Sequence, residues 1–223
     1  MYKNIALLFL FLLISCECPP QIDTSKEIIP NEHSYCIFFN INSDYKVFSV
    51  NSNKIEIVNS VNFANTSNKN YYKFPDNYAN LLLFSNNIPI FNTLIYTQKS
   101  HYYTFFFYKF EEHSSYLFVE DAFPDSLQNS YIRFLNFNSN QSVNFEIASS
   151  LPQPIDVFVN MNDYTKLIPM LEGNIAISII NPASQNLIAK YDNINLKQNS
   201  ITNIVYTGDS TNYNVYILKS NKQ

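Results

Sequence analysis

The chain has 223 residues, a formal net charge of −4, and 14% charged against 46% hydrophobic residues. Its 14 basic residues are scattered and outnumbered by 18 acidic ones, so the clustered positive face that nucleic-acid binding needs is excluded. The apolar share excludes intrinsic disorder, and the length supports one large or two small domains with real cores.

At the start, Lys3 and the terminal amine supply positive charge, and residues 5–14 form an unbroken apolar run. That run is too short to span a bilayer, which takes about 20 residues, but it suits the hydrophobic part of an export signal. It leads into Leu13-Ile14-Ser15-Cys16, which resembles a bacterial lipobox. The resemblance implies cleavage between Ser15 and Cys16, a diacylglycerol on the Cys16 thiol, and a freed amine open to a further acyl chain. Two or more chains hold a protein durably on a membrane, whereas one holds it marginally. Residues 1–15 are therefore expected to be a signal peptide, with a lipid membrane as the partner of acylated Cys16. The expected location is the cell envelope, at the outer membrane or cell surface rather than the inner membrane. An ordinary secretory signal cut nearby and an amino-terminal membrane helix are the competing readings.

Residues 16–33 carry Pro19, Pro20 and Pro30 among polar neighbours. Proline fixes φ and biases its predecessor to extended geometry, so a stiffened, lipidated tether is expected. With Cys16 assigned to lipid, Cys18 and Cys36 remain in an oxidising compartment. They can pair as a disulfide or stay as two thiols. Neither has a neighbour at metal-ligand or nucleophile spacing.

From Tyr35 onward, short runs rich in aromatic and β-branched residues are broken by Asn, Ser, Asp and Pro. Residues 35–40, 45–50, 54–59, 81–84, 102–108 and 116–120 read as strands, and no segment keeps a 3.6-residue apolar period over helix length. Only two glycines occur, Gly173 and Gly208, so turns must lean on Asn and Asp. The stretch from Tyr35 to Asn42 is echoed from Tyr131 to Asn138, the strand ending at Tyr108 by one ending at Tyr206, and the strand starting at Tyr116 by one starting at Tyr213. Each echo lies about 97 residues downstream, which reads as a tandem duplication. Residues 122–130 are the polar joint. The expectation is all-β: two tandem immunoglobulin-like antiparallel β-sandwich domains, residues 34–123 and 124–223.

Tyr103-Thr104-Phe105-Phe106-Phe107-Tyr108, a polar turn, Tyr116-Leu117-Phe118-Val119-Glu120-Asp121, a Pro-containing joint and Tyr131-Ile132-Arg133-Phe134-Leu135-Asn136 together resemble the bacterial family called domain of unknown function 4397. The stretch from Leu171 to Ser178 is similar to that family's glycine turn feeding a strand. The resemblance covers most of residues 35–220 and implies a secreted or lipid-anchored envelope protein, with no catalytic residue attached. The chain departs from the pattern after each opening strand, where Asn42-Ser43-Asp44 and Asn138-Ser139-Asn140-Gln141-Ser142 replace a proline-rich turn, and at Lys109-Phe110, where a glycine is usual.

Candidate chemistry is sparse. His33, His101 and His113 are the only histidines, none at metal-binding spacing, and no catalytic serine, phosphate-loop or zinc motif occurs. Glu111-Glu112-His113 reads as a solvated hairpin turn, with a metal or acid–base site as the alternative. In the run from Tyr102 to Tyr108, alternate side chains face opposite sides of a sheet. One side then packs a core while the other covers a neighbouring domain or forms an exposed platform. Arg133, the sole arginine, either pairs with an acidic residue or anchors a carboxylate ligand. Tyr102, Tyr103 and Arg133 are thus the candidate binding surface, and no cofactor or metal is expected. The function expected is a non-enzymatic envelope lipoprotein that binds a protein or glycan, and a small hydrolase or metal-dependent site on the loops is the alternative.

Overall fold

The computed structural model describes residues 33–65, 69–74, 77–123, 129–148, 154–208 and 212–221. The signal peptide, Cys16, Cys18 and the tether up to residue 32 lie outside them, as does most of the 122–130 joint.

The described chain is built of strands. The first repeat contains β1 (Ser34–Ile41), β2 (Val47–Ser52), β3 (Ile55–Asn62), β4 (Lys69–Asn70), β5 (Tyr72–Phe74), β6 (Asn77–Ser85), β7 (Ile88–Thr97), β8 (Tyr102–Phe110) and β9 (His113–Glu120). The second contains β10 (Ser130–Asn138), β11 (Val143–Ala148), β12 (Ile155–Val159), β13 (Asp163–Tyr164), β14 (Ile168–Met170), β15 (Gly173–Ile180), β16 (Leu187–Leu196), β17 (Ser200–Gly208) and β18 (Tyr213–Asn221).

Strand order repeats with the sequence. One sheet runs β5-β1-β8-β9 and its counterpart runs β10-β17-β18, with β13 and β14 both pairing β10. The other two sheets run β3-β2-β6-β7 and β12-β11-β15-β16. In each repeat the opening strand pairs in parallel with the penultimate one, β1 with β8 and β10 with β17, and the penultimate strand pairs antiparallel with the last, β8 with β9 and β17 with β18. The all-β sandwich architecture is therefore the expected one, carried by a strand order of its own. A short exchange ties the repeats, since β4 of the first pairs with the end of β18 in the second.

Burial explains the sequence pattern. Phe38, Phe48, Leu81, Phe105 and Phe107 belong to a core between the first two sheets, and Phe134, Phe145, Ile177, Ile204 and Tyr206 to the matching core of the second repeat. A third cluster joins Ile37, Phe39, Phe106 and Tyr108 to Leu135, Phe137, Val205 and Leu218 across the two parallel-paired sheets. The four sheets thus stack in layers, with two inner sheets covered on both sides. Strands covered on both sides read as near-continuous apolar runs, and every residue of β10 is buried. Phe105, Phe106 and Phe107 are successive and all fully buried because alternate rings feed different layers. Outer strands such as β6 and β15 keep alternation instead.

The turns use asparagine as composition requires. Asn53-Lys54 and Asn86-Asn87 have positive φ at both positions and close two-residue hairpins between β2 and β3 and between β6 and β7. Gly208, with φ of 105°, is where a side chain has no room: a Cβ there would meet the carbonyl oxygen of Asn212.

Candidate functional site

Of the residues nominated from the sequence, Ser15, Cys16 and Cys18 fall outside the described residues. Cys36 is a free thiol, fully buried in the first core. Burial first, and the nearby Asp121 carboxyl second, push its pKa well above the ordinary thiol range, so it is held as an inert, protonated group.

The aromatic run of β8 is absorbed by packing. Tyr103 is buried in the first core and stacks on Phe118 at 4.9 Å. Tyr102, half-buried, stacks on Tyr35 at 4.9 Å and meets Tyr71 edge-on at 5.1 Å. Phe106 and Tyr108 share the side of Tyr102, opposite Tyr103, and enter the layer between the inner sheets, where Tyr108 stacks on Phe137 at 3.8 Å. The second repeat supplies the cover that an exposed platform would lack.

Arg133 lies in the same layer with its side chain 1% exposed, paired to the fully buried Asp121 at 2.5 Å. Asp121 follows β9 directly, so the pair pins the connection between the repeats to β10. Its other oxygen accepts from the Tyr71 hydroxyl at 2.7 Å and the Thr104 hydroxyl at 2.6 Å. Arg133 Nη1 donates to Asn203 Oδ1 at 3.4 Å. A buried charge is tolerated only when paired and hydrogen-bonded, and here one ion pair is braced by two hydroxyl donors from the first repeat and an amide acceptor from the second. Burial first, then Asp121, raise the Tyr71 pKa well above the usual tyrosine range. The acidic partner of Arg133 could be anticipated in kind from the sequence, whereas Tyr71, Thr104 and Asn203 carried no signal because they are distant in chain order.

Glu111 and Glu112 form the two-residue turn between β8 and β9, with Phe110 opposite His113. Both glutamates line a groove of about 340 Å³ together with Lys109, and His113 is not part of that lining. Lys109 bridges Asp44 at 3.2 Å and Glu112 at 3.6 Å. Among the described residues no three His, Cys, Asp or Glu side chains gather as a metal site would require.

The most distinctive free surface is on the outer sheet of the first repeat, which the sequence reading did not single out. Tyr78 on β6 and Tyr96 on β7 are register partners with rings 5.1 Å apart, and they are 69% and 48% exposed. Leu94, 63% exposed, follows on the same strand, and Leu82 and Phe84 lie half-buried along β6. Asn80 and Asn92 are interspersed, and both are exposed. The second repeat provides an internal comparison. The positions matching Tyr78 and Tyr96 are the register partners Asn174 and Asn195, joined by an amide hydrogen bond of 3.1 Å, and the one matching Leu82 is Ser178, opposite Lys190. One fold position is therefore aromatic in one copy and polar in the other. Folding does not demand the tyrosines. The alternation of β6 was visible in the sequence, but which of its two sides would stay uncovered depended on how the sheets stack.

No protein-family model matches the chain, and no curated protein matches it.

Proposed function

We propose that this protein is a non-enzymatic, lipid-anchored binding module of the cell envelope. The anchor is the part of the proposal that rests on sequence: a positive start, ten apolar residues and Ser15-Cys16 at their end. Acylated Cys16 would hold the body at the outer membrane or cell surface. Replacing Cys16 with Ser should abolish acyl labelling and move the protein out of the detergent phase, and unchanged labelling would remove the anchor from the proposal.

The observation that carries the binding reading is the exposed Tyr78–Tyr96 pair, set beside Asn174 and Asn195 at the same place in the second repeat. Exposed aromatics clustered on one sheet face are a surface that gains free energy when covered, and tyrosine is favoured there because it contributes a large rigid face with a polar tip. The enrichment of tyrosine at protein–protein interfaces favours a protein partner over a small ligand. The test copies the second repeat into the first. Tyr78→Asn with Tyr96→Asn should leave the fold intact and reduce the partner captured by crosslinking in intact cells and pull-down. A variant that captures the same set of proteins in the same yield would show that this face is not the docking surface. Binding of the wild-type body to a glycan array, lost in the same variant, would move the partner from protein to glycan.

A further inference from the structure

The exposed tyrosines stand beside a sheet edge. Strand β7 ends its sheet, and among the described residues it pairs with no strand but β6. Peptide groups along a strand point alternately to its two sides. Asn80 on β6 accepts from the Asn53 N–H and donates its own N–H to Asn53 Oδ1, both on the side of β2. Ala79, Leu81 and Leu83 therefore face β7, where their register partners Ile95, Thr93 and Phe91 answer them. Asn92, Leu94 and Tyr96 are left to direct their N–H and C=O groups out of the sheet, and their side chains are exposed as well. Pro89 and the bulge beside Leu83 and Phe84 disturb only the hairpin end of the strand.

Natural sheets guard such edges with charge, because unpaired peptide groups capture the strands of other chains. Among the described strands that end a sheet, β7 alone holds no Asp, Glu, Lys, Arg or His. Its whole hairpin, residues 77–97, is free of them. The matching edge of the second repeat, β16, carries Lys190 and Asp192, both exposed and bridged at 3.3 Å. The guard is present in one copy of the fold and missing from the other. Charge and symmetry indicate what pairs there. A second copy of the chain brings the same net negative charge, so it docks at least cost where neither surface is charged, and the β7 edge meets that condition. An antiparallel strand pair is also compatible with a two-fold axis, which sets one patch against itself. Centred on Leu94, such a pair places Leu94 against the second copy's Leu94 and Asn92 against its Tyr96, and the outward groups of these residues close about six backbone hydrogen bonds. We propose that β7 pairs antiparallel with β7 of a second copy of this chain, joining two outer sheets into one. The proposal rests on the reading of this face as a protein-docking surface and names its partner.

The test is co-purification of two differently tagged full chains crosslinked in intact cells, with one tag captured and the other quantified. Wild-type copies should recover each other. Leu94→Lys in both copies sets like charges opposite each other and removes an apolar contact, and should cut recovery by about tenfold or more. Leu94→Glu in both copies should do the same. Leu94→Lys in one copy with Leu94→Glu in the other should restore recovery, because position 94 then meets its opposite charge across the pair. Asn195→Lys, on the matching strand of the second repeat, should leave recovery unchanged. The proposal is overturned if wild-type copies do not co-purify, or if Leu94→Lys in both copies recovers as well as the wild type. It is equally overturned if Leu94→Lys with Leu94→Glu recovers no better than Leu94→Lys alone, or if Asn195→Lys causes the same loss. Should wild-type copies fail to co-purify while Tyr78→Asn with Tyr96→Asn still loses a crosslinked protein of another kind, self-pairing falls and the docking surface stands.

Discussion

Arg133→Met should be among the most destabilising single changes in the protein. The substitution keeps an unbranched side chain of similar reach but removes the cation from Asp121, whose carboxylate is fully buried. Breaking one partner out of a buried ion pair typically costs 3–5 kcal/mol. Here the carboxylate would retain the Tyr71 and Thr104 hydroxyls, so the lower half, about 3–4 kcal/mol, is expected. At roughly 2–4 °C per kcal/mol for a body of this size, the midpoint should fall by about 6–16 °C. Guanidinium unfolding followed by tyrosine emission is a convenient assay because the chain has 17 tyrosines and no tryptophan. Asp121→Asn added to Arg133→Met should cost about 1–3 kcal/mol less than the two single losses summed, since the neutral amide no longer needs a counter-ion. A loss below about 1 kcal/mol for Arg133→Met, or strict additivity of the pair, would refute the view that this ion pair holds the repeats together.

The remaining predictions address other parts of the architecture. Tyr71 is held neutral in the folded state, with its pKa raised above the ordinary value of 10.0 by burial and Asp121. The unfolded chain therefore releases this proton first, and stability should be full below about pH 10 and fall as pH climbs from there towards the folded pKa. Absorbance at 295 nm should show a fraction of tyrosinate that appears only with unfolding, and complete titration of all tyrosines in the native state would contradict this. Phe106→Ala opens a hole in the layer between the inner sheets and should cost about 3–5 kcal/mol in chemical unfolding, as for a core phenylalanine inside one domain. If the loss were under about 1 kcal/mol, the inner sheets would not be sharing a core. Cys36 should resist a thiol reagent under native conditions and react only after denaturation, and rapid native labelling would disprove its burial. Gly208→Ala places a methyl against the Asn212 carbonyl at positive φ and should destabilise by more than about 1 kcal/mol, measured in the same unfolding assay.

How far the sequence reaches differs from element to element. Strand type and the internal repeat were legible because they rest on local chemistry: aromatic and β-branched runs, turns built on Asn53, Asn86 and Asn87, and echoed strands such as the ones opening at Tyr35 and Tyr131. The triple phenylalanine at 105–107 announced a strand with apolar groups on both sides, but not what would cover the second side. Stacking of the inner sheets settled that and buried Arg133, while the first repeat's own core took up Tyr103; the two residues had looked equally suited to an exposed binding surface. The Asp121 network escaped prediction for the same reason. Its donors come from Tyr71, Thr104 and Arg133, which only tertiary packing brings within hydrogen-bond reach.

Sequence by itself determined what depends on neighbours along the chain: strand formation, the asparagine turns and the doubled body. Tertiary structure alone decided which faces are left to solvent. A strand's alternation names two faces without saying which will be covered, because that choice is a contest between sheets for apolar contact. In this protein the contest buried the aromatic face of β8 and left Tyr78 and Tyr96 outside.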